Sequence, residues 1–359
     1  MITIPFFFTG LLAYPCQDIS EGPYEYFTLF IGSTLSSARS DLLLVGCELN
    51  TSISITPSQS VELPQDPQSP TSSMISIPAG SSHNIILNQM QTLLVRSDDD
   101  LTGTRIVSNN PLTVISGHSR TLPFNEHIPP TSTWGKSYLL IPFGERSRVD
   151  GQYYKIVASE HGTSFTRFCN NTQNTSFLPI AGNFEEFFTN STTYCSLVSD
   201  KPVLVSQLVA DVIRFGRGFN SIMSIVPSVD QYADRYSFTP LNDTDYDVIQ
   251  ISVSVLPEFY VPSSIRLNGR PITATWNKIY NDKGTIVGYA CHVNISGGSV
   301  HTVHHDNSSG KLSVIVFGSS NTTYRQRRYS YLAGLRFLTS QIGMCDLVSS
   351  HKSYSIHIY

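Results

Sequence analysis

In the segment VIQISVSV, Ile249, Ile251, Val253 and Val255 alternate with Gln250, Ser252 and Ser254. An extended chain puts successive side chains on opposite faces, so one face of this run is apolar and the other polar, which predicts a half-buried β-strand. The same period-two reading holds at 52–55, 153–157 and 312–317, and clusters of Gly, Pro, Asn and Ser separate the runs. Those clusters interrupt each candidate helical stretch as well, so no helix longer than about three turns is expected. Residues 57–73 (PSQSVELPQDPQSPTSS) hold four prolines and no periodicity, which predicts a long exposed loop.

The pattern also repeats. VSNNPLTVIS from Val107 resembles VSDKPVLVSQ from Val198, in each case a Pro-bearing turn that launches a buried strand. Pro129, Trp134, Tyr138 and Pro142 align with Pro227, Tyr232, Tyr236 and Pro240, each pair 98 residues apart. EYFTLFIG from Glu25 reads as a further copy of the opening strand and GKLSVIVFGS from Gly310 as a further copy of the closing one. An all-β chain follows, built of tandem antiparallel β-sandwich-like lobes, three of about 100 residues each. The expected divisions are an N-terminal segment 1–24, lobes at 25–125, 126–225 and 226–337, and a tail 338–359.

Composition adds a compartment. Apolar residues make up 40% and charged residues 14% of the 359, with Ser, Thr and Asn crowded between Val/Ile/Tyr/Phe runs, as in sheet proteins with polar turns. A formal charge of −4 supplies no basic field for phosphate backbones, so no nucleic-acid partner is expected. Asn-x-Ser/Thr occurs at Asn50, Asn170, Asn174, Asn190, Asn242, Asn294, Asn307 and Asn321. Eight such acceptors, three of them between 170 and 190, point to a secreted or cell-surface glycoprotein. The 170–190 segment is polar and aperiodic and is expected to be an exposed, glycosylated loop.

Six cysteines fit that compartment. Cys169 and Cys195 flank the glycosylated segment at the ends of the strand-like runs SFTRFC and TTYCSLV, where facing residues of antiparallel neighbours come within bridging distance, and a disulfide between them is expected. Cys16, Cys47, Cys291 and Cys345 allow three pairings. Residues 4–14 (IPFFFTGLLAY) resemble the apolar core of a signal peptide but follow no Lys or Arg, so the start is an atypical signal or the start of a fragment. Eleven residues fall short of the roughly 20 that span a bilayer, no longer apolar run exists, and no transmembrane segment is expected.

Residues suited to chemistry are sparse. In HTVHHD, His301 and His305 share a strand face and His304 takes the other, so one strand cannot present three metal ligands. Asp243, Asp245 and Asp247 begin like a calcium loop, but Val248 and Ser254 stand where Gly and Glu are needed. Asp98, Asp99 and Asp100 read as a solvated turn, with a calcium contact as the alternative. The run from Gly117 to Thr121 lacks the second Gly of a nucleophile elbow. Glu185 and Glu186 are strand neighbours that face opposite sides, unlike a glycosidase pair. Arg325, Gln326, Arg327 and Arg328 read as an exposed basic turn. No metal and no cofactor are expected.

One set of residues carries a resemblance, in order and spacing together: Ser116-Gly117-His118, Pro129-Pro130 with Thr133-Trp134-Gly135, Val157-Ala158-Ser159-Glu160, Met223 with Val226-Pro227 and Gln231-Tyr232, Gly298 with His301, Phe317-Gly318, and Ser330-Tyr331 with Ala333-Gly334. From about Glu25 to Phe337 the chain resembles the N-terminal domain family of the IgG Fc-binding protein, a module of mucus-associated and other extracellular proteins. Relatives usually carry two cysteines where Ser119-Arg120 and Phe124-Asn125 stand here, and often a Pro where Leu332 stands. The cysteine-rich von Willebrand-type repeats of the large members have no counterpart in this sequence. The resemblance implies a non-catalytic module whose partner is an extracellular protein or glycoprotein, with Trp134 and the prolines as core and turn. The alternative, a secreted carbohydrate-active enzyme on a β-rich scaffold, requires two carboxylates converging at about 5–10 Å.

Overall fold

A computed structural model describes residues 24–31, 39–67, 72–118, 124–144, 151–209, 222–241, 246, 248–319 and 328–334. These residues form antiparallel sheets, and helical geometry is limited to short 3-10 turns such as Thr131–Thr133 and Val229–Gln231.

The first group of strands comprises β1 (Tyr24–Phe27), β2 (Ser40–Gly46), β3 (Thr51–Thr56), β4 (Val61–Pro64), β5 (Met74–Ile77), β6 (His83–Leu87), β7 (Thr92–Ser97), β8 (Arg105–Ser108), β9 (Leu112–His118) and β10 (Phe124–His127). They pair as sheets β1-β8-β3-β6 and β10-β9-β2-β7, with β4-β5 as a separate hairpin. The two sheets close on one core that includes Leu42, Leu44, Ile53, Ile55, Val95 and Ile106. Val61 and Leu63 enter that core too, which corrects the expectation of a long exposed loop over 57–73. The hairpin alternates in and out over only four residues a side, too short to stand out among the prolines.

The second group comprises β11 (Gly135–Leu140), β12 (Gly151–Ala158), β13 (Thr163–Cys169), β14 (Thr172–Leu178), β15 (Phe184–Asn190), β16 (Cys195–Val209) and β17 (Ile222–Val226). Here one seven-stranded sheet folds about the 15-residue β16. The first half of β16 pairs with β11 and β13, the second with β12 and β17, and the two halves enclose Tyr138, Tyr154, Phe165, Phe187 and Val205. The third group comprises β18 (Arg235–Phe238), β19 (Val248–Val255), β20 (Ile265–Leu267), β21 (Arg270–Pro271), β22 (Asn277–Tyr280), β23 (Ile286–Asn294), β24 (His301–His305), β25 (Leu312–Ser319) and β26 (Arg328–Leu332). Its sheets run β18-β24-β20-β21 and β22-β23-β19-β25-β26.

One pairing order therefore recurs. β1-β8-β3-β6, β11-β16-β13-β14 and β18-β24-β20-β21 correspond, as do β10-β9-β2-β7, β17-β16-β12-β15 and β26-β25-β19-β23. A buried tyrosine marks each copy at the same place. Tyr26 donates its hydroxyl to the Leu112 carbonyl at 3.1 Å, Tyr138 to that of Val203, and Tyr236 to that of Leu312 at 2.8 Å. Each acceptor sits where the chain passes from one half of the fold to the other, so each phenol pins that crossing to the opening strand.

The groups also pack on one another. Val157, Leu204, Leu208, Met223 and Ile225, on the outer face of the second group, share a core with Phe27, Leu29 and Phe30. Ile315, Phe317 and Leu332 of the third group meet Phe143, Val209 and Ile222 of the second. This explains a departure from expectation in β19, which is buried on both faces. The polar set is bonded by neighbouring elements: Ser254 donates to the Tyr232 hydroxyl at 2.9 Å, Ser252 shares a hydrogen bond with His292 Nδ1 at 3.0 Å and Gln250 donates from Nε2 to Asn294 at 2.7 Å. At the first of these junctions Gly103 and Gly182, at φ +83° and +84°, meet so closely that a Cβ on Gly103 would lie 2.3 Å from the Gly182 carbonyl oxygen. Arg328, expected in an exposed turn, opens β26 and is buried, while residues 325–327 lie outside the described residues.

Candidate functional site

The edges of the seven-stranded sheet bring together the chain's densest set of Asn-x-Ser/Thr sequons. β13 and β14 join through Asn170 and Asn171, at φ 47° and 61°. Two consecutive left-handed residues suit a two-residue hairpin, and Asn tolerates that region because its short side chain bonds locally. The 170–190 segment is thus not a loop: β14 and β15 occupy most of it, and only their connection and the hairpin tip are turns. Its polarity reflects edge strands whose outward positions meet water, which hides the period-two signal.

Register places Cys169 directly opposite Cys195, and the two form a disulfide with a Cα separation of 4.5 Å. The bridge ties β13 to the start of β16. Cys47 is disulfide-bonded as well. Cys291 is a free thiol inside the third group's core, where burial pushes its pKa up to about 12, so the four remaining cysteines do not all pair. Cys16 and Cys345 lie outside the described residues.

A shallow cleft of about 290 Å³ opens where the two edges of the sheet approach each other, lined among others by Arg167, Asn170, Asn174, Phe188, Asn190 and Thr193. Asn170 donates from Nδ2 to the Thr193 hydroxyl at 3.0 Å, which ties the hairpin tip to the turn after β15. Arg167 lies over the Phe187 ring at 4.2 Å and pairs with Glu185 at 2.6 Å. The cleft is therefore polar, partly aromatic and held by a spent ion pair, which suits hydrogen bonding to amide and hydroxyl groups better than proton transfer. Asn50, Asn170, Asn174, Asn190, Asn294 and Asn307 are all exposed, whereas Asn242 and Asn321 lie outside the described residues.

The carboxylates considered for other chemistry are engaged. Glu186 leaves the opposite face from Glu185 and meets Lys155 at 2.6 Å. Lys155 is fully buried and also contacts Asp100 at 3.1 Å and the Phe30 carbonyl at 2.7 Å, so the Asp98-Asp99-Asp100 turn spends its last carboxylate on a lysine of the second group. Asp243, Asp245 and Asp247 lie outside the described residues, as do Ser119, Arg120 and Thr121.

His301 is hydrogen-bonded at both nitrogens, to Asn268 at 2.9 Å and the Ser296 carbonyl at 2.8 Å. His305 is likewise used, by the Asn307 N–H at 3.0 Å and the Phe259 carbonyl at 2.9 Å. His304 points the other way, 3.8 Å from Asp306. Sequence reasoning overlooked Lys155, Arg167 and Phe188. A lone lysine inside the apolar run YYKIVA was the available signal for the first.

Among the described residues no helix is long and apolar enough to cross a membrane. No solved structure matches the chain. A curated relative, the human IgGFc-binding protein, is 22% identical over 302 residues, which cover 82% of this chain and 5% of that protein's length. The chain thus spans a small fraction of that relative. A family model described as IgGFc binding protein matches residues 11–318, and the chain belongs to that family.

Proposed function

We propose that this chain is a non-catalytic extracellular glycoprotein module that binds a protein or glycoprotein partner, in an adhesive or scaffolding role. Three lobes, at 25–125, 126–225 and 226–337, form its rigid body, and glycans on the exposed sequons face outward from it. The observation that carries the reading is the convergence of Asn170, Asn174 and Asn190 on one cleft between the two edges of the seven-stranded sheet, beside the Cys169–Cys195 disulfide, in a member of a family named for binding. Rigid lobes that hold partner-facing loops are a common way to build recognition without catalysis.

The name of the human relative makes the Fc region of IgG the first partner to test. The chain, secreted from a eukaryotic host with its glycans, is passed over immobilised IgG Fc and a panel of extracellular glycoproteins. Saturable binding to at least one is expected. Absence of saturable binding to all of them, together with turnover of glycoside substrates, would contradict the proposal.

A further inference from the structure

We propose that Phe188 is a stacking platform for the first N-acetylglucosamine of a glycan on Asn190; this rests on the reading of Asn190 as glycosylated. Along β15 the side chains alternate, with Phe187 and Thr189 turned inward and Phe188 and Asn190 turned outward. Residues two apart on a strand share a face and stand about 7 Å apart, which is the reach of a sugar ring linked through an Asn side chain. Phe188 is 49% exposed on that face.

The ring's position is built, not incidental. In the β12–β15 register Gly151 stands opposite Asn190, and Tyr153 opposite Phe188. A Cβ on Gly151 would lie 2.4 Å from Phe188 Cζ and 2.9 Å from Cε2, so the ring leans over the backbone opposite Asn190, in space that any other residue would fill. Tyr153 meets the same ring edge-on at 5.1 Å. Glycine beneath and tyrosine beside leave the ring fixed with apolar surface open next to the acceptor. One face of an N-acetylglucosamine ring presents C–H groups, and laying it on an aromatic face removes apolar area from water on both partners while the hydroxyls stay solvated.

The test is a double-mutant cycle on the secreted chain, with Phe188→Ala and Asn190→Gln singly and together, and Phe188→Leu as a milder replacement. Glycopeptide mapping is done first. With Asn190 occupied, Phe188→Ala is expected to lower the folded-to-unfolded ratio about 2- to 10-fold more than it does in the Asn190→Gln background. The excess should survive enzymatic trimming of the glycan to its first sugar. Protons of that sugar should also show an upfield ring-current shift that Phe188→Leu abolishes. Equal effects in both backgrounds with no ring-current shift, on an occupied Asn190, would overturn the platform alone. A bare Asn190 in correctly secreted protein would overturn the platform and, at that residue, the glycosylation it rests on.

Discussion

Replacing Lys155 by Met should destabilise the protein more than any other single change to a polar side chain at the junction of the first two strand groups. The lysine is fully buried and its ammonium meets Glu186 at 2.6 Å, Asp100 at 3.1 Å, the Thr102 hydroxyl at 3.2 Å and the Phe30 carbonyl at 2.7 Å, with the Phe184 ring 4.4 Å away. Methionine keeps most of the volume and the contact with Phe184, so the loss isolates the charge. Asp100 retains bonds from the Thr102 hydroxyl and N–H at 2.6 and 2.9 Å, whereas Glu186 is left facing a thioether. Removing one member of a buried ion pair costs about 3–5 kcal/mol, and the partial exposure of both carboxylates puts this case near the lower end, about 3 kcal/mol. Urea unfolding followed by tryptophan fluorescence measures it, since Trp134 sits in the core shared by those groups. Lys155→Met with Glu186→Leu should recover more than half the loss, because the orphaned charge is then gone. A cost under about 1 kcal/mol for Lys155→Met, or no recovery in the double variant, would refute this account of the junction.

Three other outcomes follow from single contacts. Gly182→Ala should cost about 1–3 kcal/mol, since the Cβ would lie 2.8 Å from the Gly103 carbonyl oxygen at a positive φ, whereas Gly80→Ala, at φ +75° with open space around it, should cost only the backbone strain; equal costs in thermal unfolding would contradict the close contact. Tyr236→Phe removes a hydroxyl that accepts from the Ala233 N–H at 3.1 Å and donates to the Leu312 carbonyl, and should cost about 1–2 kcal/mol in the same assay. Burial lowers the His292 pKa to about 4, below the ordinary value near 6.5, so the unfolded chain binds more protons between these values. Stability should therefore fall as pH drops through that window, and in unfolding curves taken from pH 7 to 4 His292→Gln should flatten the slope.

How much of this was legible in the sequence depended on what covered each face. β19 announced itself because Ile249, Ile251, Val253 and Val255 alternate with polar residues, yet Gln250, Ser252 and Ser254 are buried as well. A polar residue satisfied by a partner from a distant element looks, in sequence, like one facing water. Edge strands failed in the opposite way: β14 is exposed along most of its length, so its polarity read as a loop. The spacing of Tyr138 and Tyr236 was legible because the hydroxyl does the same work in both copies, and Tyr26 extends it to the first. The cleft was visible in part. Cys169, Cys195 and the sequons carry local signals, but Gly151 under Phe188 follows from strand register alone. Lys155 with Asp100 could not be paired in advance, because contacts across separate sheets leave no periodicity.

The proposed extracellular glycoprotein module is tested most directly by site-by-site peptide mapping of the chain secreted from a eukaryotic host, without reduction. The account predicts occupied glycans at Asn170, Asn174 and Asn190 and a peptide linked through Cys169 and Cys195. Three bare asparagines, or both cysteines recovered as free thiols, would contradict it.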